Sequence, residues 1–334
     1  MIRWQKRFPS SVYRLRGSGG LRWQQVDPSP QHPLLVVAGP TGAGKSTLAL
    51  RVCEEFSGEI VNCDSLQLYR GFHVGTAKTP ESERRGIPHH LLDVLDPSDG
   101  YSAGEYSRVA RNTIGEITAR GRLPVVVGGT GFYLRALLNG LPPLPESNDA
   151  VRRRLMDREL RKPGSMRRLL TRLDPVSAHR IHPNDTQRCM RAVEIRLVSG
   201  RVSPPATETG PLTGYRVMKI GPDPDRAALY TLLDTRAKQM FASGLVEEIE
   251  GLLLSGCTGD EKPFESLGYR QALAHIRGEI TLERAIYLTQ LDTRHYAKRQ
   301  WTWFRRDPEM EWLSGFGTLP SVIELCMQML RRFL

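Results

Sequence analysis

Apolar positions along the chain follow two rhythms. Leu34-Leu35-Val36-Val37-Ala38, Glu59-Ile60-Val61-Asn62-Cys63 and Leu123-Pro124-Val125-Val126-Val127 are short runs that leave an extended strand apolar on both faces. Strands of that kind belong to parallel sheets covered on both sides. Residues 46–56 and 102–120 have helical spacing instead. The alternation predicts a parallel α/β sheet flanked by helices. The pattern breaks at Leu141-Pro142-Pro143-Leu144-Pro145, gives way to a helical stretch, and resumes as strand at Tyr215-Arg216-Val217-Met218-Lys219-Ile220. From 225 to 306 the spacing is helical again, with turns near Gly256, Gly268 and Gly278. The expected organisation is an extension over 1–32, an α/β core over 33–141 and 206–334, and an all-helical insertion over 142–205.

Charge sharpens the picture of the insertion. Net charge is +11 over 334 residues, and residues 151–202 hold 14 Lys/Arg against 5 Asp/Glu. So concentrated a field attracts a polyanion, because each neutralised phosphate releases counterions. A solvated helix face is the bland alternative, but the one-sided sign favours nucleic acid. The first thirty residues are also Arg-rich, with Asp27 their only acid. That composition suits a transit peptide, a disordered extension or a misassigned start. No apolar run approaches the ~20 residues that cross a bilayer, so no membrane partner is expected. The five cysteines, Cys53, Cys63, Cys189, Cys257 and Cys326, are scattered and never in a Cys-x-x-Cys pair. They point to a reducing cytoplasm rather than to disulfides or structural zinc.

Candidate chemistry begins at Gly39-Pro40-Thr41-Gly42-Ala43-Gly44-Lys45-Ser46, followed by Thr47. The loop fits G-x-x-x-x-G-K-[ST], follows a strand and opens a helix, so its amides, the helix terminus and Lys45 make a phosphate site. Ser46 is a candidate ligand for a Mg²⁺ that bridges phosphate oxygens. Such loops accompany nucleotide binding, ATP above all, and usually a carboxylate that holds the metal. Here the 125–127 strand ends in Gly128-Gly129-Thr130-Gly131, and His89-His90-Leu91-Leu92-Asp93 is a weak substitute. A diphosphate that departs suits the loop as well as a triphosphate that donates. Asp64, at the next strand end, is a candidate proton acceptor, with a helix cap or a metal ligand as the alternatives. Lys298-Arg299-Gln300-Trp301-Thr302-Trp303-Phe304-Arg305-Arg306 interleaves cations and aromatics. That pattern serves RNA phosphates and unpaired bases, or a buried ring stripe with its cations in solvent.

In this order the blocks resemble the bacterial tRNA dimethylallyltransferase (isopentenyl-tRNA transferase) family. The resemblance rests on the glycine loop, Asn62-Cys63-Asp64-Ser65-Leu66-Gln67-Leu68-Tyr69-Arg70, Gly75-Thr76-Ala77-Lys78 and Pro88-His89-His90-Leu91-Leu92-Asp93. It continues through Gly128-Gly129-Thr130-Gly131-Phe132-Tyr133, His182-Pro183-Asn184-Asp185-Thr186-Gln187-Arg188, Ser266-Leu267-Gly268-Tyr269-Arg270 and the 298–304 block. It implies a P-loop NTPase-like fold and transfer of a dimethylallyl group from dimethylallyl diphosphate to N6 of adenosine 37, in tRNAs reading codons that begin with U. Diphosphate would lie on Gly39, Pro40, Thr41, Gly42, Ala43, Gly44, Lys45, Ser46 and Thr47. Asp64 would take the N6 proton, while Lys45, Mg²⁺ on Ser46, Thr130 and Arg236 stabilise the leaving group. The tRNA anticodon stem-loop would meet Asp64, Ser65, Leu66, Gln67, Thr130 and Arg152, then Gln187, Arg188, Cys189, Met190 and Arg191. Ser266, Leu267, Gly268, Tyr269, Arg270 and Gln271 would follow, with Lys298, Arg299, Gln300, Trp303 and Arg305. The family suggests a monomer. The missing zinc-finger extension of eukaryotic relatives favours a bacterial or organellar type. An adenylate isopentenyltransferase, a P-loop small-molecule kinase and a non-enzymatic RNA-binding protein are the competing readings; the first two need no RNA-sized basic surface.

Overall fold

The computed structural model describes residues 31–142, 144–145, 147–199 and 210–334. The basic extension therefore lies outside the described residues except at its end, where His32 already opens the first strand. Five of the strands and the helices that link them run β1 (His32–Ala38), α1 (Lys45–Phe56), β2 (Gly58–Asn62), β3 (His89–His90), α2 (Ala103–Ala119), β4 (Leu123–Gly128) and, after the helical stretch, β5 (Tyr215–Asp223). A sixth, β6 (Met310–Ser314), completes one all-parallel sheet in the order β3-β2-β4-β1-β5-β6. The central run in β1 is buried on both faces: Leu34, Leu35 and Val37 are wholly inaccessible. Leu35, Val37, Val125 and Ile220 join a core with Leu48, Ala49 and Val52 of α1 and with Val322, Cys326 and Leu330 of a terminal helix, α12 (Pro320–Phe333). Burial of each such side chain contributes about 1.5–3 kcal/mol, so the sheet centre is the most strongly held part of this unit.

Strand order decides where chemistry can sit. The chain leaves β1 through α1 and returns as β2 two places away, with β4 filling the gap. The loops after β1, β2 and β4 therefore converge at one carboxyl edge, where open α/β sheets bind ligands. A second layer of control comes from α8 (Arg226–Ala242) and α11 (Leu282–Phe304). Leu229 and Leu233 of α8 pack with Ala297 and Trp301 of α11, and Arg294 reaches Asp234 at 3.2 Å. Between them in sequence lie α9 (Leu245–Leu254) and α10 (Tyr269–Ile276). All of these belong to the compact unit that comprises residues up to Asp99, Asn112–Gly131 and Thr213–Leu334.

The other compact unit comprises Gly100–Arg111 and Phe132–Leu212. It includes most of α3 (Gly131–Asn139) and a helical cluster, α4 (Asp149–Arg161), α5 (Ser165–Leu173), α6 (Pro175–Arg180) and α7 (Thr186–Ser199). Asn148 caps α4 through Val151 N–H, and Asp174 caps α6 through Ser177 N–H. Leu155, Met166, Leu170, Ala178, Cys189 and Val193 form its core. Glu194 is fully buried and takes charge-assisted bonds from Arg152 at 3.0 Å and Arg191 at 2.8 Å, plus Asn148 N–H at 2.7 Å. Those donors hold its carboxyl below the usual range against the opposing cost of burial. Arg153, Arg154, Arg158, Arg161 and Lys162 stay exposed. Among the described residues no helix is long and apolar enough to cross a membrane, and the five cysteines are free thiols.

Removing one side of a buried ion pair strands the other. Glu194→Ala should destabilise the helical unit by about 3 kcal/mol, read as a lower urea midpoint, while Glu194→Asp should recover part of the loss.

Candidate active site

Three loops at the carboxyl edge build a polar cavity of about 420 Å³. Thr41, Gly42, Gly44, Lys45, Ser46 and Thr47 line one side, and Asn62, Asp64, Gln67 and the 76–80 segment line another. Gly128 and Gly129 close it beside β4, and Arg236 enters from α8. The glycine loop turns into α1 at Gly44, whose φ of 86° is open to glycine at little cost. Helix α1 has no acidic residue in its first turn and no side-chain cap. Its leading amides therefore face the cavity as donors for an anion. From behind, Gly317 N–H donates to Ala43 O at 2.8 Å and braces the loop.

Lys45 donates from Nζ to Pro40 O at 2.7 Å. Burial pushes its pKa down to about 8; Asp64 pulls upward and Arg236 pushes further down. Arg236 feels the same two influences, its own burial first and then Asp64 in opposition. Two cations stripped of much of their water thus share one carboxylate. Such an arrangement is set for an arriving anion.

Asp64 is fixed by a local net. Its Oδ1 accepts from Leu66 N–H at 3.0 Å, and its N–H donates to Asn62 Oδ1 at 3.1 Å. Asn62 in turn ties Asp64 O and Leu91 O through Nδ2. The turn beginning at Asp64 is thus real, as the capping alternative required, but it uses only one carboxylate oxygen. No described residue donates to Oδ2. Thr130 Oγ1 accepts from Ser65 N–H at 3.1 Å, which places the two loop tips side by side. Tyr296 of α11 stands near by, its hydroxyl kept neutral by burial and by Asp64.

The residues expected from sequence thus fall into two sets. Lys45, Ser46, Asp64, Gln67 and Arg236 share the cavity, while Thr130 and Ser65 join at its rim. Lys298, Arg299 and Trp303 of α11 line a second depression with Arg306 just beyond the helix end. Of the other expected RNA contacts, some are buried and some are exposed but engaged within the protein. Cys189 belongs to the helical core, and Arg152 and Arg191 are held by Glu194, whereas Gln187 and Arg188 are exposed. Met190 packs against the same core. Gly268 and Gln271 cap α10 with each other, and buried Tyr269 donates to Glu248 at 2.6 Å. Ser266 turns back to Pro263 O, Leu267 is half-buried, and Arg270 pairs with Asp292. Arg305 pairs with Asp223, and Gln300 is buried.

Two residues without an assigned role also face this site. Lys78 is almost wholly buried, lines the cavity, and pairs with Asp93 at 2.5 Å while donating to Tyr69 O. The carboxylate considered as a metal holder is therefore already committed to a lysine. Asn62 buttresses Asp64 from the strand itself. The quoted sequence blocks contain both positions, but nothing in their spacing says which way a side chain turns.

An anion nest at the edge of a parallel sheet, facing two cations and a carboxylate, has the parts that an α/β enzyme uses to hold a phosphate-bearing ligand. A model of the IPP transferase family matches residues 67–307. A tRNA dimethylallyltransferase of Solibacter usitatus is 55% identical over 304 residues, covering 90% of this chain and 99% of that one. Its counterpart in Koribacter versatilis is 48% identical over 89% and 98% of the two chains. Among solved structures, the tRNA isopentenylpyrophosphate transferase of Bacillus halodurans superposes with a TM-score of 0.66 at 32% identity, covering 90% and 96%. A eukaryotic dimethylallyltransferase acting on tRNA superposes at 0.70 with 29% identity, covering 85% and 74%. The chain belongs to the IPP transferase family, prenyltransferases whose curated members at this level of identity are named tRNA dimethylallyltransferase.

With Lys45 titrating near 8, its charge is present below that pH and lost above it. Affinity for inorganic pyrophosphate should fall by up to about tenfold per pH unit above 8 relative to Lys45→Arg, whose cation persists. Calorimetric titrations of both proteins at pH 7 to 10 read the difference.

Proposed function

We propose that this chain transfers the dimethylallyl group of dimethylallyl diphosphate to N6 of adenosine 37 in the anticodon loop of tRNAs reading codons that begin with U. The observation that carries the proposal is the shared cavity of Asp64, Lys45 and Arg236, in a chain of this family. The amine lone pair is delocalised into the adenine ring, so N6 is a weak nucleophile until its proton has somewhere to go. N6 forms the new bond to C1 of the allyl group while the C1–O bond breaks and its electron pair leaves with diphosphate. Asp64 accepts the N6 proton, and Oδ2 is the oxygen positioned for it. Lys45, the α1 amides and Arg236 hold the departing charge. Thr130 and Ser65 fix the rim against which the extruded base would rest.

A resident Mg²⁺ fits the donor chemistry. Ser46 and Thr47 offer hydroxyls beside the phosphate nest, and Mg²⁺ commonly takes one or two protein groups and completes its shell with phosphate and water. Of the two, Ser46 is the ligand we assign, because it directly follows the loop lysine in the G-K-S order. Bound there, the ion would neutralise charge on the diphosphate oxygens. Each unit offers cations to RNA by itself: the exposed arginines of α4 and α7 in one, and Lys298, Arg299 and Arg306 beside Trp303 in the other. The working form is a cytoplasmic monomer.

Incubation with Mg²⁺, dimethylallyl diphosphate and unmodified tRNA carrying A36 and A37, followed by nucleoside mass spectrometry, should yield N6-prenylated adenosine. Finding none, with ATP-dependent phosphorylation of a metabolite instead, would refute the assignment. Asp64→Asn keeps the turn and removes the base. It should lower kcat by about a hundred- to ten-thousand-fold with tRNA affinity retained. Reversing Arg153 and Arg154, which are exposed, should weaken tRNA binding and reduce the salt slope by about one per lost phosphate contact; an unchanged slope would remove α4 from the RNA surface.

A further inference from the structure

Gln300 is the most buried polar residue of the cationic stretch on α11, at 5% exposure. Its Oε1 accepts from Thr41 N–H at 2.7 Å, and its Nε2 donates to Gly129 O at 2.9 Å. One side chain thus joins the loop after β1 to the loop after β4. A methyl on Gly129 would lie 2.1 Å from Nε2, so the amide sits flush on the backbone there. Its neighbours fasten the same helix in the same place. Trp301 donates to Asp223 at the end of β5 at 2.9 Å, and a methyl on Gly131 would meet Trp303 Nε1 at 2.2 Å.

We infer that Gln300 is a positioning residue for the diphosphate site, acting through the glycine loop rather than on RNA. The path is short. Gln300 fixes Thr41, whose preceding residue Pro40 offers the carbonyl that receives Lys45 Nζ at 2.7 Å. The Thr41 amide is thereby committed to Gln300, and the Ala43 N–H turns back to the same Pro40 carbonyl that receives Lys45, so the clamp fixes the loop from which the anion is held. Glutamine suits the task because it presents one acceptor and one donor at a neutral planar end. Glutamate would set an acceptor against Gly129 O and add negative charge beside a diphosphate.

The inference rests on the proposed function for the identity of the anion, but its test does not require turnover. Binding of inorganic pyrophosphate in Mg²⁺ buffer is measured by calorimetry for wild type, Gln300→Met and Gln300→Glu, with tRNA binding measured in parallel. Gln300→Met should weaken pyrophosphate about tenfold and raise the KM for dimethylallyl diphosphate similarly, with tRNA affinity unchanged. Gln300→Glu should weaken pyrophosphate further. Unchanged pyrophosphate affinity in both variants overturns the inference, as does a loss confined to tRNA, or an equal loss of both that marks general loosening. Should Gln300→Met fail to fold, the isosteric Gln300→Glu and its thermal midpoint carry the test. Wild type that binds pyrophosphate yet prenylates no tRNA would refute the proposed function while leaving this readout intact.

Discussion

Everything at the carboxyl edge depends on how closely the ends of β2 and β4 approach. The Cys63 N–H donates to Val127 O at 2.7 Å and Thr130 N–H returns to Cys63 O at 3.2 Å, so pairing continues past both strands. A methyl on Gly128 would lie 2.0 Å from Cys63 O. Only glycine allows that contact, and the contact carries Asp64 and Thr130 to neighbouring loop tips. Strand burial supplies the rigidity and the glycine supplies the proximity.

Around that frame the electrostatics are deliberately incomplete. Elsewhere in the chain buried charges are matched: Glu194 has two arginines, and Lys78 has Asp93. In the cavity Lys45 and Arg236 share Asp64, and burial above all lowers the pKa of Lys45. Unmatched desolvated charge costs stability, and here the cost falls where a polyanionic leaving group would relieve it.

The sheet centre was legible because its strands are apolar on both faces. β1, β2, β4 and β5 stand where the pattern put them, within a residue or three at their ends. β3 was not legible: two histidines, His89 and His90, carry no apolar run, and His90 is held by Glu59, which in turn accepts from Arg120. β6 was missed because Met310–Ser314 is too short and half polar to announce itself. At the site, backbone-defined features such as the glycine loop and Asp64 could be read from residue order. Side-chain direction could not. Gln300 and Trp303 lie three apart in a single cationic stretch, yet Gln300 is buried while Trp303 lies against Gly131 and stays 38% exposed. Cys189 and Gln187 differ in the same way, since helical phase relative to a packing partner is a tertiary property.

Gln300 lies 259 residues beyond the loop it completes. A chain emerging from a ribosome would lay down β1, α1, β2 and β4 early, and amino-terminal segments tend to fold first. The phosphate nest of that nascent chain would still lack its clamp. Anion affinity would then be switched on by synthesis of α11 rather than by closure of the sheet, so a truncated product could resemble the fold without holding the substrate.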